Sequence, residues 1–272
     1  MHVPAAYLTV GFEDGAIERN TMSILGLLAE QRQKATFFVL GRIARDMPRL
    51  VRTIALQGHE VACHSFEHRR LYDFSRSEVK ILLSSAKRYL EDVYGRPVVG
   101  FRAPDFSITQ KNLWVFDLLG EAGFRYDSSV YPTGLHDVYG IKGFPRRPFR
   151  LPNGLVEIPM SVVMVGKTAI PFGGGGYLRM YPGLLTRACL RSLNRKGLPC
   201  VLYAHPFEMG DSVVRIPGMS LARRFRTYVG IQTVKRKLSR LLRDFCFLAC
   251  EDYVDSVTAE CADKGPTEEL WA

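Results

Sequence analysis

Four short stretches of this chain gather residue types able to do acid–base and metal chemistry. They are Glu13-Asp14-Gly15, His64-Ser65-Phe66-Glu67-His68, Arg102-Ala103-Pro104-Asp105 and Tyr203-Ala204-His205-Pro206. His64 and His68 stand four apart, so on a helical turn both rings would face one way and grip one cation. Asp14 would complete a two-histidine, one-carboxylate set with open positions for water and substrate, which zinc accepts. An HxxxH pair by itself is more often a pair of surface or capping histidines. Here it follows a predicted strand and is matched by an acidic pair after another, which favours the metal reading. Glu13-Asp14 alone reads equally as two solvated loop carboxylates. Beside a metal the two divide the labour, one binding the cation while its neighbour takes a proton from water.

Arg102 could be a surface arginine. At a strand end before Pro104 it more plausibly pairs with a carboxylate and keeps it ionised and oriented. His205 could be a satisfied core histidine, or it could protonate a leaving amine, as imidazole does near neutral pH. The run Gly173 to Gly176, with Tyr177 and Arg179, lacks the GK[ST] ending of a phosphate loop and is not expected to open a helix after a strand. It reads either as a flexible loop or as a wall for a sugar ring, with Tyr177 available for stacking. Phe106, Tyr131 and Trp114 are groove or core aromatics on equal terms.

Such residues need a scaffold that brings loops together. Short apolar runs alternate with amphipathic stretches along the chain. Strands are expected at Tyr7–Val10, Thr36–Leu40, Glu60–Cys63, Gly100–Arg102, Phe124–Tyr126, Val156–Pro159 and Cys200–Ala204. Helices are expected at Thr21–Glu30, Pro48–Gln57, from the Ser75/Glu78 capping box to Gly95, at Asn112–Ala122 and at Gly183–Asn194. Repeated strand–helix units imply parallel strands with right-handed crossovers, and seven can close into a barrel whose chemistry sits at strand ends. We expect one domain over 1–272, with a basic amphipathic helical extension from about residue 220.

The bulk numbers are those of an ordinary globular chain: 272 residues, 47% hydrophobic and 24% charged. The net charge of +10 favours anionic partners, but no nucleic-acid motif accompanies it, and its plain reading is a solvated face. Peripheral association with a membrane or with exopolysaccharide machinery is compatible with it. The opening MHVPAAYLTVGFEDG does not read as a signal peptide, and no apolar run is long enough for a transmembrane helix. A cytoplasmic location is the resulting expectation. Six scattered cysteines with no CxxC are expected to be buried free thiols.

The blocks LTVGFEDG, ATFFVLGRIA, GHEVACHSFEH, GFRAPDFSIT, GFRYDSSVYP, GGGGYLRMYP and LYAHPFE resemble the NodB-type polysaccharide deacetylases, carbohydrate esterase family 4. Within that family they are most similar to the subgroup associated with exosortase and exopolysaccharide loci, and the resemblance runs on into RRFRTYVG and KRKLSRLLRDF. It implies an α/β fold, a distorted (β/α)7 barrel, and hydrolysis of N-acetyl groups from amino sugars of a glycan. It implies one divalent metal, usually zinc, on Asp14, His64 and His68. Glu13 falls where many members have the base, Arg102 on the arginine that tethers it, and His205 on the catalytic acid. Asp127 is a looser match to the carboxylate that tunes this histidine. A backbone N–H near Asp105 would help bind the oxyanion, with Pro104, Asp105, Phe106, Gly175, Tyr177 and Arg179 toward the substrate. One departure matters. Members of the subgroup usually read D-x-E-D at the first motif, and this chain has Gly11 in place of the leading aspartate. Glu13 as the base leaves nothing essential missing, whereas a base at the leading position would leave a disabled, glycan-binding homologue. The other rival is an amide hydrolase on the same scaffold, acting on a small amide or a lipid-linked formamido sugar.

Overall fold

The computed structural model describes residues 15–136, 138–210, 218 and 221–256, without the side chains of 222, 223 and 226. The expected strand Tyr7–Val10, and Gly11, Glu13, Asp14 and Cys261, lie outside the described residues. The chain divides into two compact units, one of residues 1–33 and 171–247 and the other of residues 34–170 and 248–272.

The second unit is built on a six-stranded sheet. Its strands are β1 (Thr36–Val39), β2 (Glu60–Cys63), β3 (Gly100–Phe101), β4 (Tyr126–Asp127), β5 (Phe149–Arg150) and β6 (Val156–Glu157), in the order β1-β2-β3-β4-β6-β5. Every pairing is parallel except β5 with β6. The first three crossovers are helical, as is usual for parallel strands, while the one from β4 to β6 carries no helix among the described residues. Helices α2 (Gly41–Asp46) and α3 (Pro48–Leu56) lie between β1 and β2, α4 (Arg76–Tyr94) between β2 and β3, and α5 (Val115–Glu121) between β3 and β4. A hairpin of β7 (Val162–Val165) and β8 (Thr168–Pro171) follows the sheet.

Helix α4 shows how local sequence sets an element. Ser75 Oγ accepts from Glu78 N–H while the Glu78 carboxylate accepts from Ser75 N–H, closing the capping box. Val79, Leu83, Ala86 and Leu90 form one buried stripe, each large side chain contributing about 1.5–3 kcal/mol by leaving water. Gly95 ends the helix in the left-handed conformation at φ 74°.

The first unit contains α1 (Ala16–Glu30), α6 (Gly175–Met180), α7 (Gly183–Asn194), α8 (Leu221–Tyr228) and α9 (Val234–Asp244). The polyglycine run thus opens a helix directly after β8, contrary to the loop expected from its composition. Cys200–Ala204 is not a strand either: among the described residues only Tyr203 pairs, in an isolated parallel bridge to Gly174. The bridge demands a bare backbone, since a Cβ on Gly174 would lie 2.3 Å from Tyr203 O. Gly174→Ala is therefore expected to lower stability by about 1–3 kcal/mol, read as a fall in melting temperature. An unchanged melt would show that the bridge is not needed.

Helix α9 of the expected extension packs within the first unit. Val234, Leu238, Leu241 and Leu242 of α9 are buried, and Lys237 Nζ donates to the carbonyls of Leu178, Arg179 and Tyr181 at 2.7–2.9 Å. Five described cysteines are free; Cys63 is buried but Cys246 is exposed, so burial is not general. Among the described residues no helix is long and apolar enough to cross a membrane.

Candidate functional site

One register row of the sheet builds the site in the second unit. Val39 pairs with Cys63, Cys63 with Phe101, Phe101 with Asp127, and Asp127 with Glu157. The ladder continues one residue further. His64 N–H donates to Val39 O, Arg102 N–H to Cys63 O, Ser128 N–H to Phe101 O and Ile158 N–H to Asp127 O. His64, Arg102 and Ser128 therefore leave the sheet side by side at its carboxyl edge, where α/β folds place their chemistry.

His64 and His68 come together, with ring centroids 5.2 Å apart. The reason is not the helical turn expected from their spacing. Residues 64–70 form no helix, and Ser65 turns the chain with φ 66°. Gly41 N–H and Arg42 N–H hold that turn by donating to the carbonyls of Ser65 and Phe66. His64 Nδ1 lies 2.7 Å from Arg102 O. A carbonyl only accepts, so Nδ1 carries a proton, and in the neutral ring Nε2 is left with the lone pair. That tautomer is one that metal-ligating histidines use, with the backbone carbonyl as orienting partner. Two imidazole donors so arranged suit a borderline cation such as zinc. Among the described residues no set of three His, Cys, Asp or Glu side chains comes together as a metal site. The third expected ligand, Asp14, is outside them.

Arg102 is buried. It donates through Nε to Ser128 O at 2.9 Å and through Nη2 to Ser128 Oγ at 2.8 Å, and its guanidinium lies 4.1 Å over the Phe38 ring. The carboxylate expected to pair with it, Glu13, lies outside the described residues. Asp127 is fully buried and accepts from the Ser129 hydroxyl at 2.6 Å and the Ser129 N–H at 3.1 Å. The same hydroxyl accepts from Ala103 N–H at 2.7 Å, so Asp127 anchors the Arg102–Asp105 loop through Ser129. Burial, then the Asp127 charge, push the Glu157 carboxyl well above its ordinary value, and burial raises Asp127 as well.

Pro104–Phe106 forms a single 3-10 turn in which Asp105 and Phe106 both have positive φ, 53° and 52°. Two consecutive non-glycine residues in this region are strained and need outside support. Arg70 supplies some of it by donating through Nε to Asp105 Oδ2 at 3.0 Å, and Leu71 N–H donates to Ser107 Oγ. Phe106 N–H and Ser107 N–H bond back to Ala103 O and Pro104 O. Asp105 N–H has no hydrogen-bond acceptor among the described residues. Phe106 packs edge-on against the fully buried Tyr131, which makes the latter core.

The first unit carries His205, with a side chain 44% exposed. Its Nδ1 lies 3.4 Å from Glu208 Oε2, and its own N–H donates to the same oxygen at 2.8 Å. Glu208 is buried and forms an ion pair with Arg179. Burial alone would raise the Glu208 carboxyl, but His205 and Arg179 outweigh it and hold the group below its ordinary value. Glu208, not singled out from the sequence, is the carboxylate beside His205. Arg179, read as part of a sugar wall, is buried behind that pair. Tyr177 is half-buried near Tyr181, and Gly175 is buried with φ 52°.

Sequence reasoning also missed Ser128, Ser129, Glu157 and Arg70. With Glu208 counted, a signal existed for three of the five: the polar D-S-S run after an apolar strand for Ser128 and Ser129, and the HPFE spacing that returns Glu208 to the N–H of His205.

Two family models match the chain, one described as polysaccharide deacetylase over residues 2–126 and one as a domain of unknown function (DUF3473) over residues 128–255. A chitooligosaccharide deacetylase of Azorhizobium caulinodans is 39% identical over 99 residues, 36% of this chain and 46% of that protein. The match thus spans under half of that relative's length. A Mycobacterium smegmatis protein classed with the polysaccharide deacetylases superposes with a TM-score of 0.62 at 23% identity, covering 92% of this chain and 84% of the other. A Pseudomonas aeruginosa PAO1 protein classed likewise gives 0.64 at 15% identity, covering 89% and 73%. These likenesses establish the fold class, α/β of the distorted-barrel NodB type.

Proposed function

Residues 2–126 belong to the polysaccharide deacetylase family, and from that premise we propose that the chain hydrolyses N-acetyl groups from amino sugars of a glycan, releasing acetate. One divalent cation, zinc above all, is held by Asp14, His64 and His68. The observation that carries this reading is the pinned tautomer of His64, its Nδ1 on Arg102 O and its ring beside His68. When bound, such a cation polarises an acyl carbonyl and acidifies water.

The chain's own residues do the rest. Glu13 takes a proton from the attacking water, and Asp105 N–H donates to the oxygen that gains negative charge. His205 gives its proton to the departing sugar amine. With Nδ1 turned to the Glu208 carboxylate, Nε2 is the atom that transfers it. The finer reading, that the glycan is an exopolysaccharide, rests on the motif pattern alone. The chitooligosaccharide deacetylase relative makes N-acetylglucosamine oligomers the first substrate to test.

Metal analysis of the purified protein, with acetate release from those oligomers, tests the reading directly. Metal-loaded protein that releases no acetate from them overturns it. His205→Ala is expected to lower turnover by about 10²–10⁴-fold with metal content near normal. Loss of metal along with activity would make His205 a ligand and the assignment wrong.

A further inference from the structure

We infer that α8 and α9 form a docking surface for the anionic headgroups of a phospholipid bilayer, with Leu221 and Phe225 entering the headgroup boundary. Charge is the first reason. Residues 221–243 contain eight lysines and arginines and no aspartate or glutamate, in a chain whose whole net charge is +10. The positive field of the protein is therefore concentrated on this segment. Asp244, the first acid after it, is paired with Arg187 at 3.3 Å.

Exposed apolar surface is the second reason. Leu221 and Phe225 stand one helical turn apart on α8 and are 83% and 62% exposed, with Arg224 exposed between them. Ordinary amphipathic helices turn such a stripe inward. Helix α9 does so with Val234, Leu238, Leu241 and Leu242, and shows solvent Lys235, Arg236, Arg240 and Arg243. That helix is also tied down, by Lys237 on three carbonyls. The segment thus offers a fixed cationic face on α9 and an outward apolar edge on α8.

A soluble polyanion needs only the charge, and exposed leucine and phenylalanine would be a liability to a protein that binds one. The pairing of basic residues with outward Leu and Phe is what an anionic lipid–water interface recognises.

Flotation of the full chain with phosphatidylcholine vesicles, with and without phosphatidylglycerol, tests this. Binding to the anionic vesicles alone is expected. Leu221→Asp with Phe225→Asp, and separately Arg236→Glu with Arg240→Glu, should each weaken it by about tenfold or more. All four side chains are exposed, so the melting temperature should stay put; the charge pair is the independent check if the apolar pair disturbs the helix. Absence of flotation with phosphatidylglycerol overturns the inference. So does anionic binding unchanged in the Leu221/Phe225 variant, or tighter binding to heparin than to vesicles, which would assign the surface to a soluble polyanion.

Discussion

Replacing His64 and His68 together by alanine is expected to take the protein from about one bound divalent cation to none. The pinned tautomer leaves His64 Nε2 as the ligating nitrogen, and His68 is its ring neighbour. Loss of an outer partner of a metal ligand costs roughly 10–100-fold in affinity, and loss of two ligands should exceed that. Both side chains are only half-buried, so the fold should survive, as circular dichroism would show. Metal analysis after dialysis against a weak chelator gives the answer. Full occupancy in the double variant would sink the metal assignment.

Glu13→Gln is expected to lower acetate release by on the order of 10²-fold or more, the scale of lost acid–base help. Glutamine keeps the size and removes the basicity, so metal content and substrate affinity should remain. Gly11→Asp should then change little, or harm activity by crowding. The opposite pattern has a definite meaning. An inert wild type that gains deacetylase activity on Gly11→Asp would place the base at the leading position, and this chain would be a disabled homologue.

Most of the scaffold was legible. Glu60–Cys63 and Gly183–Asn194 were bounded as observed, because each carries a clean apolar pattern between strong stop signals. The capping box placed the start of α4 for the same local reason. The short strands were harder. Gly100–Phe101, Tyr126–Asp127 and Val156–Glu157 are two residues long, and pairing partners decide where such strands begin. Phe149–Arg150 and the β7/β8 hairpin escaped notice because antiparallel additions break the strand–helix rhythm on which the reading relied. Gly174 and Gly175 looked like loop, yet the helix opens there because a bare backbone can approach Tyr203.

The sequence by itself determined which residue types could do the chemistry, since their identities and their place after apolar runs are local facts. His64, His68, Arg102 and His205 are all singled out that way. Only the tertiary structure decided how they are held. The register row from Val39 to Glu157 sets His64 beside the Arg102 carbonyl and thereby selects its proton-bearing nitrogen. Burial decided that the Glu157 carboxyl is raised and that Arg179 serves Glu208. Those outcomes depend on desolvation and on partners distant in sequence, such as Arg102 with Ser128 and Arg179 with Glu208. Neither leaves a trace in spacing or composition, because a side chain's partner and its water are properties of the packed chain.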